Sequence, residues 1–367
     1  MTSSQAPILR RLAALLIVGG GIGGLATLSH GDTPPTSLDR TVINTQANPS
    51  GPQAEALKAF VVGWIDVMES SDDPRRIEEA RRNLIEPLRD PAATPIFRRA
   101  FGTIALPKLS QIIAEKDAQR AINAMQVARF IRTPESVEML ASHLPVDRES
   151  DPAKRLAAAS VLGAALSDAD LNQPQFDSVI RSVASAADGE RDPLVILQEL
   201  RSLSAIAKRT GAAGLNPAPA ASVSAAREAQ VKLLRSLIDS VANSTEADPR
   251  MATIHTSVIV VRNQLVDMPE PERKKLSPML APALLMVLET ARKQWDSAQS
   301  NPRMKTMYSD AVTSSETLLR IIDKATRGSS STGPDKVLGT AWDKGSQADF
   351  DAELARWKAA VGDKAYR

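Results

Sequence analysis

The amino-acid sequence predicts an all-α protein, on three observations. From residue 51 onward apolar residues recur at helix spacing: Val231, Leu234, Ile238 and Val241 share one helix face, as do Leu284, Leu288, Ala291 and Trp295. Helix-start signals also repeat, with Asp-Pro at 73–74, 151–152, 192–193 and 248–249 and Asn-Pro at 301–302, each ahead of a periodic run. The Asp or Asn side chain there accepts bonds from free backbone N–H groups, and the proline after it forgoes none. Finally, hydrophobic residues make up 43% of the chain and aromatics only 3%. Such a core is built from Ala, Leu, Ile, Val and Met, which favours helices packed closely on small side chains.

Residues 1–31 read as a signal peptide or an N-terminal anchor. Arg10 and Arg11 precede an apolar run over 12–28, and small residues lead to Asp32. Within that run Gly19, Gly21 and Gly24 spell G-x-G-x-x-G, and the string resembles the opening of flavin-dependent monooxygenases. The context argues against a dinucleotide site. The fingerprint needs a helix directly after the glycines, and Pro34-Pro35 cannot continue one. The basic-then-apolar order of an export signal accounts for the same residues. The expected location is therefore periplasmic, cell-envelope or extracellular, with membrane contact only through an uncleaved N-terminal segment.

Residues 32–50 are polar and turn-rich and are expected to form a disordered linker. Residues 51–210 then read as a helical repeat array. The clearest unit is 151–166, DPAKRLAAASVLGAAL, whose 156–166 stretch carries no charge and so predicts a helix surrounded by others. Its Asp151, Pro152, Arg155, Ala158, Ala159, Leu162 and Gly163 resemble the second half of a HEAT-type repeat. Looser echoes start at Asp117 (with Arg120, Ala121, Ala124 and Ala128) and at Asp192, offsets of 34 and 41 residues. The resemblance implies antiparallel helix pairs stacked as an α-solenoid; an irregular helical bundle explains the same periodicity. Residues 211–225 are low in complexity and read as a flexible connector, and 226–327 as a second helical part. Its 254–261 stretch is rich in β-branched residues and would also suit a strand, but Ile254, Val258, Val261 and Leu265 keep helix spacing. Residues 328–334 read as a linker and 335–367 as an aromatic tail helix.

Composition narrows the chemistry. No cysteine is present, which excludes disulfides, thiolate nucleophiles and cysteine metal sites. Without Arg10 and Arg11 the remaining chain has 43 basic against 43 acidic residues. A neutral chain with few aromatics lacks the basic face and stacking platforms that nucleic acid wants, so no nucleic-acid partner is expected. His30, His143 and His255 are not spaced as metal ligands. Asp168, Asp170 and Asn172 imitate the start of a calcium loop, but Gln173 and Val179 stand where Gly and Glu are required. They read as part of a helix–helix loop. The doublets Arg75-Arg76, Arg81-Arg82 and Arg98-Arg99 lie among Glu78, Glu79 and Glu86, where local pairing is the simpler reading and an anionic ligand the sharper one. No catalytic, metal or cofactor residue is predicted, and no cofactor.

The expected function is that of an exported, non-enzymatic binding or scaffold protein with a protein partner in the cell envelope. An envelope enzyme acting on cell-wall polymer and a self-associating structural protein are the alternatives. The tail holds Trp342, Phe350, Leu354 and Trp357 as contact residues, either for a partner or for a cap that closes the helical array. Substituting Trp357→Ala in the isolated chain separates the two: loss of thermal stability marks a cap, and unchanged stability leaves the partner reading.

Overall fold

The computed structural model describes residues 34–209, 217–266, 268–327, 337–363 and 366. Among the described residues there are sixteen helices and no strand. The single turn α1 (Arg40–Ile43) leads into α2 (Pro52–Ser70), α3 (Pro74–Arg89), α4 (Pro95–Ala114) and α5 (Ala118–Ile131). The chain continues through α6 (Pro134–Ser142), α7 (Pro152–Asp168), α8 (Gln173–Gly189) and α9 (Pro193–Ala207). Then follow α10 (Ala220–Ala242), α11 (Met251–Val266), α12 (Glu270–Lys293) and the short α13 (Trp295–Gln299). The last three are α14 (Pro302–Arg327), α15 (Val337–Lys344) and α16 (Gln347–Val361).

The start signals are seen as caps. Asp73, Asp151 and Asp192 each accept a bond from the backbone N–H two residues on, at 2.8–2.9 Å. Thr133 and Asn172 form reciprocal capping boxes with Ser136 and Gln175. Asp248 accepts from the Arg250 N–H (2.8 Å) just ahead of α11, and 254–261 is helical throughout.

As far as α12, helices that are next-but-one in sequence pack side by side, and the later helices continue the same two sets. One set runs α2, α4, α6, α8, α10, α12 and α16; the other runs α3, α5, α7, α9, α11, α14 and α15. Helices of the two sets also pack on each other, as α2 on α3, α4 on α5 and α12 on α14. Each helix therefore buries apolar residues on more than one side, which explains the uncharged 156–166 stretch of α7.

The most extensive pairing joins α7 to α9. It depends on small residues. A Cβ added at Gly163 would sit 3.2 Å from the Ser202 Cα, and the Ser202 hydroxyl donates to the Ala159 carbonyl at 2.6 Å. Their loops are joined by ions: the Arg155 guanidinium grips the Glu190 carboxylate through two bonds (2.6 and 3.0 Å) and donates to the Glu149 carbonyl at 2.9 Å. Glu190 also accepts the backbone N–H groups of Arg191 and Asp192 at 2.8 Å, which fixes the turn that opens α9.

Several expected boundaries differ. Residues 34–50, expected as a disordered linker, are mostly exposed but are anchored to the helices at a few points. Val42 and Ile43 are buried, the Trp64 indole N–H donates to the Pro35 carbonyl (2.9 Å), and the Thr94 hydroxyl donates to the Thr45 carbonyl (2.7 Å). Pro34 lies against Gly63 of α2, close to the Trp64 bond. The 211–225 connector falls partly outside the described residues (210–216), but α10 starts at Ala220 inside it, because its alanine-rich run is a good helix former. It marks no division: α9 packs on both α10 and α11, and 34–367 is one compact unit. Residues 328–334 and the 1–31 segment lie outside the described residues. The tail is a hairpin, not one helix: Gly345, at φ +68°, takes the left-handed conformation that ends α15 and turns the chain into α16. No described helix is long and apolar enough to cross a membrane.

Replacing Gly163 with Leu forces α7 and α9 apart. Urea denaturation of Gly163→Leu is expected to show a loss of about 1–3 kcal/mol of unfolding free energy, as overpacking typically gives.

Candidate functional site

The four tail residues singled out by sequence are all buried. Trp342 is fully buried, Phe350 likewise, and Leu354 and Trp357 are 4% and 2% exposed. Trp342 stacks on Tyr308 (5.6 Å between ring centroids, 13° between planes) and meets Trp295 edge-on at 4.6 Å. Phe350 packs edge-on against both tryptophans, 5.2 Å from Trp295 and 6.0 Å from Trp342. The polar atoms of the knot are satisfied too. The Trp342 N–H donates to the Lys305 carbonyl (2.9 Å), while the Tyr308 hydroxyl donates to the Gln294 amide oxygen and accepts the Asp248 N–H (2.8 Å). The knot thus joins α12, α13, α14 and the hairpin to the loop before α11. Trp357 lies apart from it, with the Arg320 guanidinium 5.7 Å from its ring centroid. None of the four side chains presents a surface to a partner in this arrangement; they fill the space between the hairpin and the body.

Sequence reasoning missed the residues of α14 that hold the hairpin down. Glu316, Arg320, Asp323 and Arg327 fall at i, i+4, i+7 and i+11, one helix face. The Glu316 carboxylate accepts three backbone N–H groups from the start of α15, those of Val337 (2.8 Å), Leu338 (3.0 Å) and Gly339 (3.2 Å). Arg320 bridges Glu316 (2.8 Å) and Glu353 of α16 (3.5 Å). Asp323 accepts the Tyr366 hydroxyl at 2.7 Å, and Arg327 pairs with Asp323 (2.9 Å) and donates to the Ala360 carbonyl (2.6 Å). Burial, then the Asp323 carboxylate, raise the Tyr366 hydroxyl above its ordinary range, and burial does the same to Glu353. The signal was present as a charged stripe, but on sequence alone it looks like a solvated face.

The other singled-out residues scatter. His143 follows α6, where burial lowers its pKa. The His255 ring N shares a 2.9 Å bond with the Asp310 carbonyl; His30 lies outside the described residues. In the calcium-like stretch, Asn172 caps α8 and Asp168 pairs with Arg132 at 3.3 Å, so these side chains serve the helix–helix junction. No group of three metal-ligating residues forms among the described residues. Of the arginine doublets, Arg76 pairs with Glu79 (2.7 Å) and Arg81 with Glu78 (3.0 Å). Arg82 and Glu86 make no ion pair among the described residues.

Arg82 instead lines a groove of about 620 Å³ over α3, α5 and α7. Its floor is Ile85, Phe130 and Val161, and its walls carry Arg81, Arg82, Arg89 and Arg129 against one acid, Glu86. Arg89 and Arg129 both lie against the Phe130 ring, 4.5 and 4.9 Å from its centroid. The buried Nε of Arg129 has no hydrogen-bond partner. Beneath this end the helix C-termini of α3 and α5 converge on Arg98, which donates to the Leu88 and Phe130 carbonyls at 2.6 and 2.8 Å. Burial, then the neighbouring Arg132, push Arg98 down to about 10. The helix dipoles point their negative ends here, which helps hold the cations in place. A second groove of about 570 Å³ runs between α6 and α8, lined by Pro134, Pro145, Ser178 and Ser182 among others. It lacks such a charge bias, holding Glu135 and Glu138 as well as Arg148 and Arg181.

The most perturbed carboxyl is elsewhere. Glu199 on α9 is fully buried, neither of its oxygens has a hydrogen-bond partner, and it lines neither groove. Burial, reinforced by Glu190 and opposed by Arg155, pushes it up to about 9. A carboxyl whose folded pKa lies above its unfolded value favours the folded state while protonated. That stability is full below about pH 4.5 and is lost as pH rises toward 9. Wild-type unfolding free energy is therefore expected to fall by up to about 1.4 kcal/mol per pH unit over this window. Denaturation of Glu199→Gln between pH 5 and 9 should show that slope largely removed.

No protein-family model, no curated protein and no solved structure matches the chain.

Proposed function

We propose that this chain is an exported, non-enzymatic binding or scaffold module, built as a HEAT-like α-solenoid and presenting grooved helical surfaces to a protein of the cell envelope. The observation that carries the reading is the side-by-side packing of next-but-one helices in two sets. Repeat arrays pack this way because each helix pair needs its neighbours to cover its apolar sides, and the outer faces then become long recognition surfaces. The tight α7–α9 approach at Gly163 supports the resemblance of 151–166 to a HEAT-type repeat. Export rests on the basic-then-apolar order of residues 10–28.

The competing reading, an envelope enzyme acting on cell-wall polymer, draws on Glu199, a carboxyl kept protonated near neutrality. Such a group can act as a general acid only where substrate reaches it. Glu199 is enclosed between α9 and its neighbours and opens into neither groove, which weighs toward binding.

A photo-crosslinking residue placed at Ser178 or at Arg82 in source cells tests the reading. A discrete adduct with one other envelope protein is expected at one of these positions. Adducts that join only two copies of this chain, or only cell-wall fragments, overturn it in favour of self-association or polymer chemistry. The same cells should yield an envelope-fraction protein whose N-terminus is Asp32 or whose 1–31 segment is retained in the membrane; recovery in the cytoplasm overturns export.

A further inference from the structure

We propose that the arginine-lined groove over α3, α5 and α7 is a docking site for an extended acidic segment of a partner protein, an inference that rests on the binding-module reading. Several arginines elsewhere are matched with carboxylates, as Arg120 with Asp72, Arg155 with Glu190, Arg250 with Asp248 and Arg292 with Asp351. The groove gathers arginines that mostly lack such a partner. Of its four arginines only Arg81 has an acidic partner, Glu78, and its remaining wall bond goes to the Gln126 amide (2.7 Å). Arg82, Arg89 and Arg129 make no ion pair among the described residues. Arg89 and Arg129 both lie against the Phe130 ring. An incoming carboxylate can pair with the exposed Arg82 and Arg89, which have no acidic partner of their own among the described residues.

The spacing selects the shape of the ligand. Arg82 and Arg89 are seven residues apart on one helix, a rise of about 10.5 Å. In a polyproline-II-like segment residues i and i+3 share a face and lie about 9.3 Å apart. A chain with acids at every third residue can therefore meet both guanidiniums, while the residues between them rest on Ile85, Phe130 and Val161. A nucleic acid finds no stacking surface, because the one ring in the groove already carries two guanidiniums. A flat membrane surface does not reach a floor recessed between helices, whereas a single extended chain does.

The test uses the full chain and a fluorescent peptide of repeating Glu-Pro-Leu units, followed by anisotropy. Gln-Pro-Leu repeats, inorganic phosphate and vesicles with about 30% phosphatidylserine serve as the other arms. Saturable binding of the acidic peptide is expected, weakened at least about tenfold by Arg82→Glu/Arg89→Glu and by raising salt from about 50 to 300 mM. Both positions are exposed, so the thermal midpoint of the double variant should match wild type, and Arg82→Lys/Arg89→Lys should restore most of the binding. Absent binding, binding unchanged in the glutamate variant, or equal binding of the glutamine peptide overturns the proposal. Binding to phosphate or vesicles through Arg82 and Arg89 without binding the peptide overturns it too, in favour of an anion or lipid site. Failure of this proposal is separable from failure of the module reading: a partner still trapped from Ser178 preserves the latter, and no trapped partner at either position removes both.

Discussion

Most of the described helices pack on helices from outside their own consecutive pair, and that constraint governs the rest. With six phenylalanines, four tryptophans and two tyrosines in 367 residues, the core has few large rings to span gaps. The helices must instead come close, and close approach needs small residues at the contact. Gly163, Ser202 and Ala159 meet that need between α7 and α9. In the absence of disulfides, stability has to accumulate from many such contacts along the chain.

The same constraint makes the two ends special. At the beginning, α1 and the extended chain before it lie on α2, fastened by the Trp64 indole and the Thr94 hydroxyl. At the other end the aromatic residues are concentrated: Trp295, Tyr308, Trp342 and Phe350 fill one knot, and the α14 stripe clamps the hairpin over it. Buried ions appear where loops and hairpins must be oriented, as at Arg155–Glu190 and Glu316–Arg320. Each carboxylate there also accepts backbone N–H groups, which offsets the desolvation that makes isolated buried pairs unfavourable.

The helical class, most helix starts and the apolar faces were legible because capping and periodicity are local physics. The Asp-Pro caps at 73, 151 and 192 and the helical 254–261 stretch needed only neighbours in sequence. What required distant partners was not legible. Residues 34–50 look like a linker until Trp64 and Val42 are brought together, and the hairpin reads as one helix unless Gly345 is recognised as left-handed. The tail aromatics were visible as a cluster, but their burial depended on Tyr308 and Trp295 arriving from elsewhere. The α14 stripe was hidden for a related reason: charge at helix spacing ordinarily signals solvent. The arginine groove was half visible, since the doublets were evident, while the pairing that uses up Arg76 and Arg81 and leaves Arg82 and Arg89 depends on where each side chain points.

The bonds between helices are short in sequence terms. Trp64 to Pro35 spans 29 residues, Arg155 to Glu190 spans 35, and the Asp248 to Tyr308 bond spans 60. Contacts of such modest separation need little loop closure, so each segment can settle once the next one or two helices are available. A chain arriving from its N-terminus can order itself progressively, without awaiting its final residues. Only the last stretch is different in kind: the N–H groups that Glu316 accepts belong to residues 337–339. Those three bonds close the edge of α14 at which the Glu316 carboxylate is buried, so the hairpin supplies the backbone donors that this carboxylate requires.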